Sequence, residues 1–435
     1  MNILRVLQLT LLALHLCGTK TFAFPPDIFD DRHLYTFDEC EETLDLAAKS
    51  LTRFDRTSIP DDTCFKSLDL QSNNIEGFED GIFSNLTNLE YLDLTGNKLS
   101  PTTLFSFGSV PSLKTLILYH NNQNGDHFTL DTKVYFPELT RLSLGGLNIN
   151  SVAINWSKYF PQIEKLDVSF NPLASLNDFF RNIPTTLRSL WMWDMKLKKL
   201  RIQNLKNVTS LALDFNEFRS IKYSNCDKYS LCLQNLNGLE SLSLARCDIA
   251  LIEEHAFEHL TKLSYINLRG NKITRISSGT FGRFPSLSCL NISDNPLLDV
   301  SFIGELQNLT TLKMHSMDDN RAIESLFSLS SVPTKIQNLY LAENWMSSIP
   351  SRFLDNLQNI REIDLRSNQL SVLHPGSWQR NLKVINLYEN RVSKIEDLHL
   401  SEARSLQSLD LRRNRLQSID PEVIKALPED LDLKL

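Results

Sequence analysis

The 435-residue chain is 42% hydrophobic and 22% charged, with a formal net charge of −7. Its apolar content is too high for a disordered chain, and its acidic balance lacks the basic footprint of proteins that bind nucleic acid or acidic lipid. The 14 Gly and 16 Pro residues are also too few for a collagenous or low-complexity sequence.

The amino-terminal segment has the layout of a secretory signal peptide. A positive charge at Arg5 lies within the apolar run Ile3–Leu16, and Thr21 and Ala23 place small residues before a cleavage site at Phe24. The run is shorter than the roughly 20 residues that span a bilayer, and no later segment has 18 consecutive apolar residues. The pattern therefore predicts a signal peptide over residues 1–23 and a secreted, extracellular chain without a membrane span.

A nine-residue pattern recurs along the rest of the chain, with apolar residues at positions 1, 4 and 6 and usually Asn at position 9. It reads FKSLDLQSN at residues 65–73 and LEYLDLTGN at residues 89–97. Nine of the fifteen intervals between successive ninth positions are 24 residues. Eleven copies end in asparagine, at Asn73, Asn97, Asn121, Asn171, Asn216, Asn271, Asn295, Asn344, Asn368, Asn390 and Asn414. Five degenerate copies end at Lys49, Leu147, Met195, Cys247 and Met317.

Apolar positions 4 and 6 alternate with polar positions 3, 5 and 7, which is the period of a short strand. One such strand cannot bury its apolar face alone, so the copies are expected to stack into a solenoid. We expect the ninth asparagine to satisfy backbone groups, with local irregularity where it is replaced. The predicted organisation is an amino-terminal cap with a degenerate first repeat over residues 24–64, then an array over residues 65–435. This array has an insertion near residues 221–235 and ends in a half copy that places Leu431 and Leu433 at positions 4 and 6.

From Glu41 to Leu435 the chain resembles the 24-residue class of extracellular leucine-rich repeat proteins. Its amino-terminal cap with only two cysteines and its long uninterrupted array also resemble insect secreted proteins, including Toll-type ectodomains and the leucine-rich immune proteins of mosquitoes. Four phenylalanines lie ten residues after a ninth position, as the consensus of that class requires: Phe83, Phe107, Phe257 and Phe281. The resemblance implies an α/β horseshoe with a parallel sheet on its concave face, and with loops and short helical turns on its convex face.

The repeat register sorts the cysteines. Cys40 and Cys64 each precede position 1 of adjacent copies, and the strand spacing of roughly 4.8 Å suits a disulfide between them. Cys226 and Cys232 fall in the longest interval and are expected to form a local disulfide. Cys247 should point into the core. Cys289, at a third position, is expected on the exposed strand face, either available to a partner thiol or shielded by its neighbours.

No catalytic or metal-binding motif appears among the nine His residues or elsewhere, so we predict a non-enzymatic protein without cofactor or metal. Aspartate recurs at position 5. Carboxylates on adjacent strands could raise one another's pKa and act in acid–base chemistry. We interpret them instead as solvated residues of the strand face, at Asp45, Asp69, Asp93, Asp167, Asp364, Asp410 and Asp432.

Positions 3, 5, 7 and 8 are expected to face outward on the concave sheet, which makes them the natural binding surface. The largest rings at these positions are the predicted ligand-binding residues Tyr119, His120, Phe170, Trp191, Trp193 and Phe215. Trp191 and Trp193 share one face of one strand, and exposed Trp is enriched in binding hot spots. Phe170 and Phe215 could instead pack half-buried beside the ninth asparagine.

Five sequons predict N-glycosylation, at Asn85, Asn155, Asn207, Asn291 and Asn308. Four of them fall in return loops. Asn291 lies at a fifth position, where a glycan would close the middle of the concave surface, or where the sequon would go unused.

These patterns indicate a secreted recognition protein that binds a protein or microbial ligand, in innate immunity if the insect resemblance extends to function. The alternative is an extracellular adhesion, matrix or patterning protein. No cysteine-bearing cap follows the last copy, so either a homo- or heterodimer covers the carboxyl-terminal end or its charged residues protect it.

Overall fold

The computed structural model describes residues 43–59, 65–122, 128–130, 134–152, 154–202, 205–223, 225–281, 284–417 and 421–435. The predicted signal peptide and the predicted Cys40–Cys64 disulfide lie outside these residues. The described chain divides into two compact units. The amino-terminal unit contains residues 43–216 with 234–239, and the carboxyl-terminal unit contains residues 217–233 with 240–435.

Positions 3 to 5 of each copy form a three-residue strand, as the alternating pattern predicts. In the amino-terminal unit these strands are β1 Thr43–Asp45, β2 Ser67–Asp69, β3 Tyr91–Asp93, β4 Thr115–Ile117, β6 Arg141–Ser143, β8 Lys165–Asp167, β9 Ser189–Trp191 and β11 Ser210–Ala212. Each pairs in parallel with the next, position 4 against position 4. The position-4 leucines from Leu68 to Leu211 are completely buried.

The carboxyl-terminal unit repeats this arrangement with nine parallel strands. They are β14 Ser241–Ser243, β16 Tyr265–Asn267, β17 Cys289–Asn291, β18 Thr311–Lys313, β19 Asn338–Tyr340, β20 Glu362–Asp364, β21 Val384–Asn386, β22 Ser408–Asp410 and β23 Asp432–Lys434. The parallel strand pairing and the buried position-4 residues give each unit the stacked strands of the predicted leucine-rich repeat solenoid.

The return segments carry short elements. Strands here are β5 Phe128–Leu130, β7 Ile149–Val152, β10 Leu200–Arg201, β12 Ser220–Lys222, β13 Ser230–Cys232 and β15 Leu251–Ile252. The α-helices are Trp156–Tyr159, Leu176–Arg181, Asn320–Phe327, Ser351–Leu354 and Pro421–Lys425. Turns of 3-10 helix cover Arg56–Ser58, Ser301–Glu305, Ser377–Asn381, Ile395–Leu398 and Leu400–Glu402. Phenylalanine rings pack against one another in these return segments. The ring centroids of Phe83 and Phe107, for example, are 5.5 Å apart.

The predicted register of the last half copy is wrong by two residues. Leu433 pairs with Leu409, which is a fourth position, so Leu433 is itself at position 4. Leu431 is therefore at position 2 and Leu435 at position 6. Because the apolar residues at 431, 433 and 435 alternate regularly, the sequence pattern alone fits either register. Pairing with β22 selects the one that keeps the 24-residue interval.

The ninth asparagines form a hydrogen-bonded ladder in which each joins its own copy to the copy before it. Asn97 Nδ2 donates to the carbonyls of Leu70 and Leu94, at 2.9 and 3.0 Å, while its Oδ1 accepts from the N–H of Ile75 at 3.0 Å. The same carbonyl of Leu70 also accepts from Asn73 at 2.9 Å. Each position-6 carbonyl between two intact copies thus receives two amide donors, one from its own copy and one from the next.

The degenerate copies keep their place because the following asparagine serves them. The N–H groups of Leu147, Met195, Cys247 and Met317 donate to Asn171, Asn216, Asn271 and Asn344, at 3.1, 3.2, 3.0 and 2.9 Å. The carbonyl of Leu144 still accepts from Asn171 at 2.8 Å. The expected irregularity is absent from the strand pairing of these copies, which stays in register. After Asn73, each degenerate copy lies between two copies that end in asparagine.

This arrangement predicts that asparagines flanked by degenerate copies matter most. We expect Asn171→Leu to leave the carbonyls of Leu144 and Val168 without their amide donor and the N–H groups of Leu147 and Ile149 without an acceptor. An unsatisfied buried polar group costs about 1–3 kcal/mol.

The matched control is Asn97→Leu, because Asn73 and Asn121 still serve the carbonyls of Leu70 and Leu94. Chemical denaturation should show Asn171→Leu to be the more destabilising by at least about 2 kcal/mol. Equal losses for the two variants would contradict the redundancy of the ladder.

Candidate functional site

The predicted ring residues lie where the strands of the amino-terminal unit turn into their loops. Position 8 adopts the left-handed conformation in all sixteen copies, with φ between 45° and 68°. His120, Phe170 and Phe215 occupy this position, at φ 51°, 58° and 60°. Such a conformation is costly for a bulky residue. The turn is thus imposed by the ladder that follows it, and it orients these three rings.

The exposure of the rings differs from the prediction. His120 is exposed, while Phe170, Trp193 and Phe215 are half-buried. Tyr119 and Trp191 were expected to project from the strand face and are instead 3% and 5% exposed. Side chains at equivalent positions of adjacent strands lie only about 4.8 Å apart and cover one another. Trp191, for example, lies between Asp167 and Ala212 on the neighbouring strands.

Tyr119, His120 and Phe170 form a ring cluster that spans one intervening copy. The centroid of the Tyr119 ring is 4.3 Å from that of His120 and 6.1 Å from that of Phe170. The intervening copy carries Gly145 and Gly146. A Cβ atom at Gly145 would lie 2.2 Å from the Tyr119 ring, and one at Gly146 would lie 2.5 Å from the His120 ring. Two glycines therefore leave the space in which these rings meet.

Trp191 and Trp193 lie on the same side of one strand end, roughly 7 Å apart along the chain. The backbone N–H of Trp193 donates to Ser169 Oγ at 3.0 Å, which fixes it against the preceding copy. Both indole Nε1 atoms are buried, and neither has a hydrogen-bond partner in the described part of the chain. The pair thus holds two buried donors without a partner, beside the half-buried ring of Trp193.

Negative charge surrounds this group of rings. Burial raises the pKa of Tyr119 well above its usual range, and the charges of Asp167 and Asp194 raise it further. Asp194 forms an ion pair with Lys196. The His120 ring is open to solvent on one side and crowded by Tyr119 and Phe170 on the other. This partial burial lowers its pKa, so the imidazole is neutral at physiological pH.

The position-5 aspartates are structural groups, and the interpretation that they are solvated is wrong for four of them. Asp69, Asp93, Asp167 and Asp364 are between 2% and 7% exposed. Each accepts a hydrogen bond from the N–H two residues later, as Asp93 does from Thr95 at 2.8 Å. The carboxylate therefore closes the turn that ends the strand. Asparagine does the same at Asn267, Asn291 and Asn386.

Burial raises the pKa of Asp93 to about 6, and the charge of Asp69 contributes to the rise. Because this pKa is higher in the folded than in the unfolded chain, the stabilisation is full below pH 4 and is lost as the pH rises through 6. Asp93→Asn keeps an acceptor for Thr95 and removes the buried charge. We expect it to raise the free energy of unfolding at pH 7 by about 2 kcal/mol, a gain that disappears near pH 4.

Asp410→Asn is the matched control at the same repeat position. Hydrogen bonds from Arg412 lower the pKa of Asp410, so its ionised form is the stabilised one. Asp410→Asn should therefore lower stability at pH 7. Thermal melts of both variants from pH 4 to 8 make the comparison, and a Tm of Asp93→Asn below the parent's at pH 7 would contradict the assignment.

The described cysteines occupy distinct environments. Cys226 and Cys232 form a disulfide with Cα atoms 6.1 Å apart, and Cys232 is the last residue of strand β13. Cys247 is completely buried in the core, as predicted. Cys289 is only 3% exposed, which agrees with the alternative that its neighbours shield it and not with an accessible strand face. Tyr265 and Thr311, its register neighbours, are also buried and pack along the same row.

The five sequon asparagines differ in the freedom of the atom that would carry a glycan. Asn291 is 2% exposed, so its expected open position is wrong. Asn207 and Asn308 each donate Nδ2 to a carbonyl of the preceding copy, those of Thr185 and Pro285, at 2.8 Å. Asn85 and Asn155 are exposed, and no hydrogen bond within the described residues uses their Nδ2.

Two further features bear on function. Within the described ranges, no three His, Cys, Asp or Glu side chains are grouped so as to hold a metal ion. The helices in that part of the chain are all too short or too polar to cross a membrane.

The sequence analysis does not predict the role of Gly145 and Gly146. The signal was a pair of glycines at positions 7 and 8 between two ring-bearing copies.

Comparison with known proteins supports the same repeat fold. The family described as "Leucine rich repeat" matches residues 65–122, 237–297 and 380–433. Lumican of Rattus norvegicus is 28% identical over 184 residues, which cover 42% of this chain and 50% of lumican. Adenylate cyclase of Schizosaccharomyces pombe is 24% identical over 52% of this chain, but only 15% of that enzyme is covered. The chain thus spans half or less of the length of these relatives.

Among solved structures, the complex of TLR13 with ssRNA13 superposes with a TM-score of 0.61 at 19% identity. The alignment covers 86% of this chain and 60% of TLR13. Identity at this level shows the fold alone. The repeat matches, the parallel strand pairing and this superposition together show that the chain has the leucine-rich repeat fold.

Proposed function

We propose that the chain is a secreted, non-enzymatic recognition protein that binds an extracellular protein or microbial surface ligand. The binding surface is the strand face of the amino-terminal unit, from His120 to Phe215. The observation that carries this proposal is the pair of buried, unpartnered indole N–H groups of Trp191 and Trp193. Nothing in the repeat pattern requires two large rings at positions 5 and 7 of one strand.

The energetic cost of the unpartnered indole donors favours a ligand at this surface. A buried donor without a partner costs about 1–3 kcal/mol, which a ligand acceptor would recover. The half-buried rings of Phe170, Trp193 and Phe215 offer apolar area around the donors. Aromatic side chains with a polar edge are the residue types enriched in binding hot spots. A ligand with carbonyl or hydroxyl acceptors beside an apolar group fits this surface.

The charge of the surface favours a protein or carbohydrate ligand over a nucleic acid. The chain carries a net charge of −7, and Asp167 and Asp194 both act on the ring cluster. Phosphate backbones are bound through Lys and Arg. The single-stranded RNA named for TLR13 is therefore not a ligand that we propose for this chain.

Two roles follow from this surface. Similarity to lumican supports an extracellular place for the chain and, as the alternative function, a role in the matrix or in adhesion. The likeness to Toll-type ectodomains supports recognition in innate immunity, which is the role we propose. Quantitative mass spectrometry of body fluid and of washed tissue matrix distinguishes them, because a circulating recognition protein should be found mainly in the fluid.

The test of the binding surface uses two variants. Trp193→Ala removes a half-buried ring, and Trp191→Phe removes the indole N–H of a buried one while keeping a smaller aromatic ring in its place. Trp191→Ala is unsuitable, since deleting a buried aromatic ring costs about 3–5 kcal/mol of stability. Ligands captured from extracellular fluid by the full chain should bind each variant about 10- to 100-fold more weakly, as measured by calorimetry.

Trp345→Ala is the control, because Trp345 is 71% exposed in the carboxyl-terminal unit. We expect it to leave the affinity unchanged. Parental affinity in both Trp193→Ala and Trp191→Phe, with unchanged melting, would remove this surface from the binding site.

A further inference from the structure

A cavity of about 410 Å³ opens in the amino-terminal unit beside one of the sequons. It lies between the end of strand β7 and the helix Leu176–Arg181. Its lining residues are Ser151, Val152, Ile154, Asn155, Ser175, Asp178 and Asn182. The volume is within the range of roughly 300–1,000 Å³ that is usual for small-molecule sites.

Asn155 holds the mouth of this cavity in a defined conformation. It is the N-cap of the helix Trp156–Tyr159, and its Oδ1 accepts from the backbone N–H of Lys158 at 3.3 Å. Its Nδ2, the atom that carries an N-linked glycan, forms no hydrogen bond with any described residue. Capping uses the oxygen and glycosylation uses the nitrogen, so one side chain can serve both.

The lining suits the first sugars of such a glycan. Val152 and Ile154 are 8% and 3% exposed and form an apolar floor for a ring face or an acetyl methyl group. Ser175 Oγ donates to Asp178 Oδ2 at 2.7 Å, which holds that carboxylate at the rim as an acceptor for sugar hydroxyls. Asn182 adds an exposed amide with both a donor and an acceptor.

None of the other described sequons combines these features. Asn291 is buried, and Asn207 and Asn308 already use Nδ2 inside the protein. Asn85 is exposed, but it does not line this cavity.

We infer that the cavity is an intramolecular carbohydrate site, which binds the N-acetylglucosamine core of a glycan attached to Asn155. The inference rests on the secretion that we propose above. The glycan acts as part of the fold, joining the loop after β7 to the helix Leu176–Arg181.

The experiment uses the full chain secreted from eukaryotic cells. Glycopeptide mass spectrometry establishes occupancy, and peptide-N-glycosidase is then applied to the native and the denatured protein. We expect the Asn155 glycan to be released from the native protein about tenfold more slowly than the Asn85 glycan, since the enzyme must wait for the site to open. After denaturation the two rates should be equal.

Three variants distinguish the attachment of the glycan from its binding in the cavity. Ser157→Ala abolishes the sequon and leaves the Asn155 cap intact, and it should lower Tm by about 2–4 °C. The matched variant Thr87→Ala removes the Asn85 sequon and should leave Tm unchanged. Asn182→Trp fills the cavity and should bring the release rate at Asn155 to that at Asn85.

An unoccupied Asn155, or equal native release rates at Asn85 and Asn155, would overturn the inference. Neither result depends on the ligand affinity of Trp193→Ala. Failure of the glycan site and failure of the proposed binding function are therefore distinguishable.

Discussion

The hydrogen bonds of the ninth asparagines are the interaction on which the rest of the structure depends. Each side-chain amide joins two consecutive copies, because it donates to the position-6 carbonyls of both and accepts from the N–H groups of the earlier one. The amide groups are buried and fully used, so the chain can leave each strand without orphaned backbone groups. Isolated replacements by Leu, Met or Cys are tolerated because the asparagine of the next copy bonds the same backbone.

The candidate binding surface is a consequence of this ladder. Position 8 precedes the asparagine and must adopt the left-handed conformation in every copy, whatever its side chain. His120, Phe170 and Phe215 therefore project at a fixed angle set by backbone that the asparagines hold. The glycines of the intervening copy give Tyr119 and His120 room to meet Phe170. The proposed recognition residues are thus held by a rigid scaffold, at positions 5, 7 and 8.

The repeat interval predicts the strands, their parallel order and the role of asparagine, because these depend on local periodicity. Side-chain exposure could not be predicted in the same way. The repeat pattern places Trp191, Asp93 and Cys289 at outward-facing positions. Side chains on the neighbouring strands, about 4.8 Å away on each side, nevertheless cover them. Periodicity alone could not predict the register of the last strand either. Leu431, Leu433 and Leu435 alternate equally well in two registers, and only pairing with β22 distinguishes them.

Hydrogen–deuterium exchange at the degenerate copies tests the ladder most directly. The backbone amides of Leu147, Met195, Cys247 and Met317 each donate to the asparagine of the following copy. The reference is the amide of Asn344, an intact ninth position that donates to Asn368 at 3.1 Å. If the asparagine of the following copy protects a degenerate copy as well as an intact one, all five amides should exchange within about tenfold of one another. Exchange of the four degenerate amides about 100-fold or more faster than that of Asn344 would show that the ladder is broken there and would contradict the account.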